Sequence, residues 1–110
     1  MSFQLRYSPQ AQRDMDAVWD GVLEASGDVD VAERYVEEFA DRIAEKRRFP
    51  CSGSPLYYRG LFTGYYIVNY KAYRAFYRVR DDSVEVSRII LTRRDFMRVL
   101  FGLEDGGERE

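Results

Sequence analysis

Tyr65-Tyr-Ile-Val-Asn-Tyr70, Tyr73-Arg-Ala-Phe-Tyr-Arg-Val-Arg80 and Ser83-Val-Glu-Val-Ser-Arg-Ile-Ile-Leu91 are three runs of β-branched and aromatic residues separated only by Lys71-Ala72 and Asp81-Asp82. Gaps of two residues are short enough to close antiparallel hairpins, so the runs read as a three-stranded meander. Alternation in the middle run sets Tyr73, Ala75, Tyr77 and Val79 on one face and Arg74, Phe76, Arg78 and Arg80 on the other. The first face is apolar and needs cover. The second is a basic rail with an aromatic ring set into it. In the last run Val84, Val86, Arg88 and Ile90 share a parity, and only the arginine resists burial. It needs a partner, for which a carboxylate from the second helix is a candidate.

Upstream, the pattern supplies the cover. Phe3-Gln-Leu-Arg-Tyr7 alternates with period two and reads as a half-buried strand. Ser8-Pro9 ends it and opens a helix, because a serine at the N-cap accepts a backbone N–H bond and a proline in the first turn loses no donor that was in use. Ala11, Met15, Val18, Trp19 and Val22 recur on one side of that helix. Gly27 is placed to end it in a left-handed C-cap, and an aspartate of Ser26-Gly-Asp-Val-Asp30 to cap the next. Ala32, Tyr35, Val36, Phe39 and Ile43 repeat the helical spacing, and Lys46, Arg47 and Arg48 suit the negative end of the helix dipole. Phe49-Pro-Cys-Ser-Gly-Ser-Pro55 holds breakers enough to read as a loop. After the meander, Phe96, Val99 and Leu100 allow a short helix or an irregular tail.

The whole is an α+β chain: strand, helical hairpin, then meander. Its 110 residues, 45% hydrophobic and 15% aromatic, suit one core rather than two. A single domain is expected over residues 1–101, with 102–110 an acidic, glycine-bearing frayed end. No run of eighteen apolar residues and no basic-then-apolar leader is present, so the expected location is the cytoplasm, without a membrane.

Histidine is absent, which excludes Ser-His-Asp and Cys-His nucleophilic catalysis and histidine-held metals. Cys51 is alone, so no internal disulfide or thiolate cage can form, and it reads as a small, partly buried side chain. No metal or cofactor is expected. Charge is uneven: Pro9 to Glu45 carries eleven acidic residues against three basic, and Lys71 to Phe101 eight basic against four acidic. Arginine forks on the rail suit phosphate or carboxylate, and Tyr65, Tyr66, Tyr70 and Phe76 could stack on bases or pack against an apolar helix. A solvated face whose arginine stems lie over tyrosines explains the same pattern. Arg93 and Arg94 follow the last strand at a sheet end, where a charge pair capping a short helix is an equal reading.

In order and spacing, Tyr7-Ser-Pro-Gln-Ala11, Ala32-Glu-Arg-Tyr-Val36, Phe49-Pro50, Tyr73-Arg-Ala-Phe-Tyr-Arg-Val79 and Ile89-Ile-Leu-Thr-Arg-Arg-Asp95 resemble the RelE/ParE superfamily, the toxins of bacterial type II toxin-antitoxin modules. The resemblance spans nearly the whole chain. It implies one of two activities, since RelE- and YoeB-like members cleave messenger RNA on the ribosome while ParE-like members inhibit DNA gyrase. For cleavage, it would place Arg74 and Arg93 or Arg94 at the scissile phosphate. The sequence departs from the nucleases, however: Tyr65 and Ile67 fall near positions of the lysines of RelE, and the His-Tyr ending of YoeB has no counterpart. Thr92 and Phe96 stand where many ParE-like chains show histidine or a small residue, and tyrosine.

The expectation is therefore a ParE-like, plasmid-stabilisation-type toxin that binds a large target such as gyrase. A metal-independent endoribonuclease acting on ribosome-bound message, and a degenerate toxin that keeps only antitoxin binding, are the alternatives. The implied partner in every case is a cognate antitoxin, and Arg74, Phe76, Arg78, Arg88, Arg93, Arg94 and Phe96 are the residues expected to bind the antitoxin or the target, in a homodimer or a toxin-antitoxin hetero-oligomer.

Overall fold

The computed structural model describes residues 2–92 and Leu100. Expectations for Arg93, Arg94, Phe96, the short C-terminal helix and the 102–110 tail lie outside the described residues. Strand β1 (Gln4–Tyr7) leads into α1 (Pro9–Ser26) and α2 (Val29–Ala44), followed by β2 (Ser54–Tyr58), β3 (Leu61–Tyr70), β4 (Tyr73–Arg80) and β5 (Ser83–Leu91). The strands form one sheet in the order β1-β5-β4-β3-β2.

The local chemistry of the helical hairpin is as its residues dictate. Ser8 Oγ accepts the Ala11 N–H at 2.9 Å, Gly27 ends α1 at φ 68°, and the Asp28 carboxylate accepts from the Asp30 and Val31 amides. Short 3-10 turns at Glu45–Arg47 and Pro50–Ser52 then carry the chain to the far edge of the sheet.

The sheet has five strands where the sequence suggested an N-terminal strand and a meander of three. The first strand joins the same sheet, β1 lying parallel to β5 with Leu5 opposite Val84 and Tyr7 opposite Val86. The second addition is β2, which begins inside the stretch read as a loop. Pro55 is tolerated because β2 is an outer edge, where a missing N–H breaks no ladder, and the register shifts between Pro55 and Tyr57.

Helices cover one face. Phe39, Ile43, Ala75, Tyr77, Val84 and Val86 are inaccessible to solvent there, joined by Val18, Val68 and Ile89. Each such large side chain contributes roughly 1.5–3 kcal/mol by leaving water. Tyr77 ties this core to the β2 edge: its hydroxyl donates to the Pro50 carbonyl at 2.6 Å and accepts the Gly53 N–H at 3.0 Å. Gly53 is needed for that approach, because a Cβ there would lie 2.6 Å from the Tyr77 oxygen. On the other face a smaller cluster joins Leu56, Phe76 and Ile90, with Tyr65, Ile67 and Leu100 packed around it.

Candidate functional site

The face turned away from the helices is where alternation placed the arginines. Arg74 and Arg78 are half-buried on β4, and Arg80 is exposed at its end. Arg74 pairs with Asn69 of β3 and Ile90 of β5 across the sheet. The Arg78 guanidinium lies over the Tyr65 ring at 5.4 Å, a cation–π contact that orients the fork. Its Nε is buried and makes no hydrogen bond among the described residues. Glu85 lies opposite Arg78 on one side and Arg6 on the other. Between them a pocket of about 280 Å³ opens, lined by Arg6, Ser8, Arg78, Glu85 and Ser87 among others.

Phe76 departs from expectation. Its parity is that of the arginines, yet it is wholly inaccessible beneath Leu56, Ile90 and Leu100. The ring is a small core for this face and is not presented to solvent. Cys51, expected to be partly buried, is exposed.

Arg88 finds its partner on the first helix, not the second. Its Nε donates to Asp14 Oδ2 at 2.8 Å and its Nη2 to Oδ1 at 3.3 Å. Asp14 also accepts the Ile89 N–H at 2.9 Å and the Gln10 side-chain amide at 3.0 Å. The carboxylate thus stands in for a strand: β1 pairs with β5 only as far as Val86, and Ser8 and Asp14 satisfy the edge beyond it. A register shift in β5 resolves the parity conflict, because Tyr77 faces Val86 while Phe76 faces Arg88, leaving Ser87 as the extra residue. Asp14 is nonetheless marked in the sequence. It sits between Ala11 and Val18 on the apolar stripe of α1, where an acid is out of place unless paired.

Four phenols are held protonated more firmly than usual. Burial pushes Tyr7 up to about 12, Tyr70 up to about 12 with help from its hydrogen bond to Glu38, and Tyr77 up to about 12 against the pull of the Gly53 amide. The Tyr66 phenol is also raised, chiefly by its hydrogen bond with Cys51.

A helical hairpin packed on one face of a five-stranded sheet matches the fold of RelE/ParE-like toxins. Residues 5–96 match the family model described as "ParE toxin of type II toxin-antitoxin system, parDE". The chain belongs to this ParE toxin family, and is a type II toxin. Among solved structures it is similar to a chain of the chromosomal ParDE toxin-antitoxin system from P. aeruginosa, with TM-score 0.69, 17% identity, and coverage of 82% of this chain and 96% of that one. It is also similar to a chain of the RelBE2 toxin-antitoxin complex from Mycobacterium tuberculosis, with TM-score 0.56, 24% identity, and coverage of 83% and 99%. These likenesses concern the fold alone. No curated protein sequence gives a significant match.

Proposed function

We propose that this toxin acts by binding, not by catalysis, that its target is a large protein assembly such as DNA gyrase, and that a cognate antitoxin holds it inactive. The observation that carries the reading is the match to ParE over residues 5–96. The chemistry supports it: histidine is absent, and every tyrosine with a displaced ionisation is displaced upward, away from use as a base near neutral pH. The solved relatives are toxin-antitoxin systems. In this chain the Arg74–Arg78 face suits an antitoxin segment that carries carboxylates among apolar residues.

Two measurements on the purified toxin test the reading together. Supercoiling by purified gyrase should fall as toxin is added, while messages under translation in a purified system stay intact. Message cut on the ribosome with supercoiling unaffected would replace this reading with a RelE-type nuclease that uses Arg74.

A further inference from the structure

Large hydrophobic side chains are left exposed at Val29, Phe49, Tyr57, Tyr58, Leu61 and Phe62 among the described residues. Four of these six fall within six consecutive positions, at the tip of the β2–β3 hairpin. Scattered exposed hydrophobics are ordinary, but here Tyr57 and Phe62 pair on one side of the hairpin and Tyr58 and Leu61 on the other, so the tip is apolar on both sides and marks a contact surface.

The tip is built to hold its shape. Arg59 and Gly60 have φ of 53° and 81°, the two positive values of a tight type I′ turn, with Tyr58 paired to Leu61 across it. A ladder of rings anchors it to the core: Tyr57 to Phe62 at 5.8 Å, Phe62 to Tyr66 at 5.3 Å, and Tyr66 to Tyr77 at 5.5 Å. The Thr63 hydroxyl braces the two strands by donating to the Leu56 carbonyl at 2.8 Å. A rigid aromatic element loses little conformational entropy on binding, which is what an anchor needs.

Shape and charge narrow the occupant. The tip is convex: Leu61 is 74% exposed, and a Cβ added at Gly60 would meet nothing within 4 Å. A convex knob seats in a cleft of a folded protein, whereas an extended antitoxin strip needs a groove or a charged face to lie along. Arg59 is the one charged residue from Tyr57 to Phe62, its guanidinium 5.3 Å over the Tyr58 ring. One cation is too few for a nucleic-acid backbone, and two copies meeting tip to tip would oppose like charges. Pro55 and the register shift guard the adjoining edge against strand pairing.

We propose that this hairpin tip is the knob by which the toxin seats in an apolar cleft of its target protein, a cleft whose rim carries carboxylates that meet Arg59. The inference rests on the binding mode of action proposed above, and places target contact on an element apart from the arginine face.

The test uses the full chain expressed in cells without antitoxin. Leu61→Ser with Phe62→Ser removes the apolar tip, and Arg59→Glu keeps the rings and reverses the charge. Both variants should melt within a few degrees of the parent, and both should need at least a tenfold higher toxin level for growth arrest. Arrest at the parental level by either variant overturns the proposal. So does a loss confined to self-association in sedimentation, or to binding of a labelled single-stranded RNA. If the parent arrests growth while gyrase supercoiling is untouched and the variants are silent, the gyrase assignment fails and the knob stands. If gyrase is inhibited equally by parent and variants, gyrase stands and the knob falls.

Discussion

The two faces of this one sheet hold their residues in opposite ways. Under the helices, packing is continuous from Phe39 and Ile43 through Tyr77 to Val84 and Val86, and the buried charge among the described residues, Asp14, sits at the border paired with Arg88. On the open face, the three-residue cluster of Leu56, Phe76 and Ile90 is set among half-buried arginines. Both faces draw on the same strands, and β4 does so most plainly, sending Ala75 and Tyr77 one way and Arg74 and Arg78 the other. The lesson is that a single strand joins the folded core to the arginine face proposed above to meet an antitoxin. The division is imperfect at one residue, Phe76, and that is where it breaks most readily.

Phe76→Ala should cost about 3–5 kcal/mol of unfolding free energy, as for any wholly buried phenylalanine, despite its place among the arginines. Urea denaturation followed by tyrosine and tryptophan fluorescence measures it. A loss below about 0.5 kcal/mol would mean that the ring is at the surface and that its cover is not as described.

The Asp14–Arg88 contact tests the border between the faces. Asp14→Ala leaves the Ile89 N–H without an acceptor and Arg88 without its carboxylate, for an expected loss of about 2–3 kcal/mol; Arg88 is partly exposed and recovers some hydration. Arg88→Met should cost about half as much, since Asp14 keeps the Ile89 amide and Gln10. Equal losses would show that the ion pair, not the edge-capping bond, holds α1 to β5.

On the arginine face the balance reverses. Arg78→Glu should lower stability by no more than about 1 kcal/mol, through like charge opposite Glu85, because the site is half-exposed. The same change should weaken the complex with the proposed cognate antitoxin at least tenfold, measured by titration calorimetry. An unchanged complex would remove the arginine face from the antitoxin interface.

Proton linkage separates the faces by pH. Tyr7, Tyr70 and Tyr77, all packed with the helix-side core, have native values near 12 against an ordinary 10 in the unfolded chain. Below pH 10 both states keep these protons and stability is full; as pH rises from 10 toward 12 the unfolded chain releases them first, and stability falls. Tyr77→Phe should make that decline shallower. A urea midpoint that holds steady across the interval would show the phenols to be solvated.

Much of this arrangement was legible beforehand, and the gaps have physical causes. Ser8-Pro9, Gly27 and Asp28 announce the helix ends because capping is local chemistry, read within a few residues. Alternation placed Arg74 and Arg78 correctly, since period two survives wherever a strand is unbroken. It failed for Arg88, because a one-residue bulge at Ser87 leaves no compositional trace. It missed β2, where two prolines and a glycine outweigh a strand that buries only Leu56. Alternation sets Phe76 on the open rail but misses its burial, because its cover comes from distant segments, Leu56 and Leu100, which no local pattern reports.

The smallest effect compares two turns with one backbone geometry. Lys71 and Asp81 each open a two-residue hairpin at φ 52° and 51°, a left-handed conformation that asparagine tolerates better than most side chains. Among the described residues the Asp81 side chain has no partner, so Asp81→Asn should raise stability by about 0.5 kcal/mol. The Lys71 ammonium instead lies over the rings of Tyr35 and Tyr70 at 5.4 and 5.3 Å, so Lys71→Asn gains the same backbone relief and loses those contacts. Exposed cation–π contacts are worth about 0.5–1 kcal/mol, enough to cancel the gain. Parallel thermal melts of the two variants read the difference. Equal stabilisation would show that Lys71 is solvated, and that the helix-side aromatic cluster ends at Tyr70 rather than reaching into the β3–β4 turn.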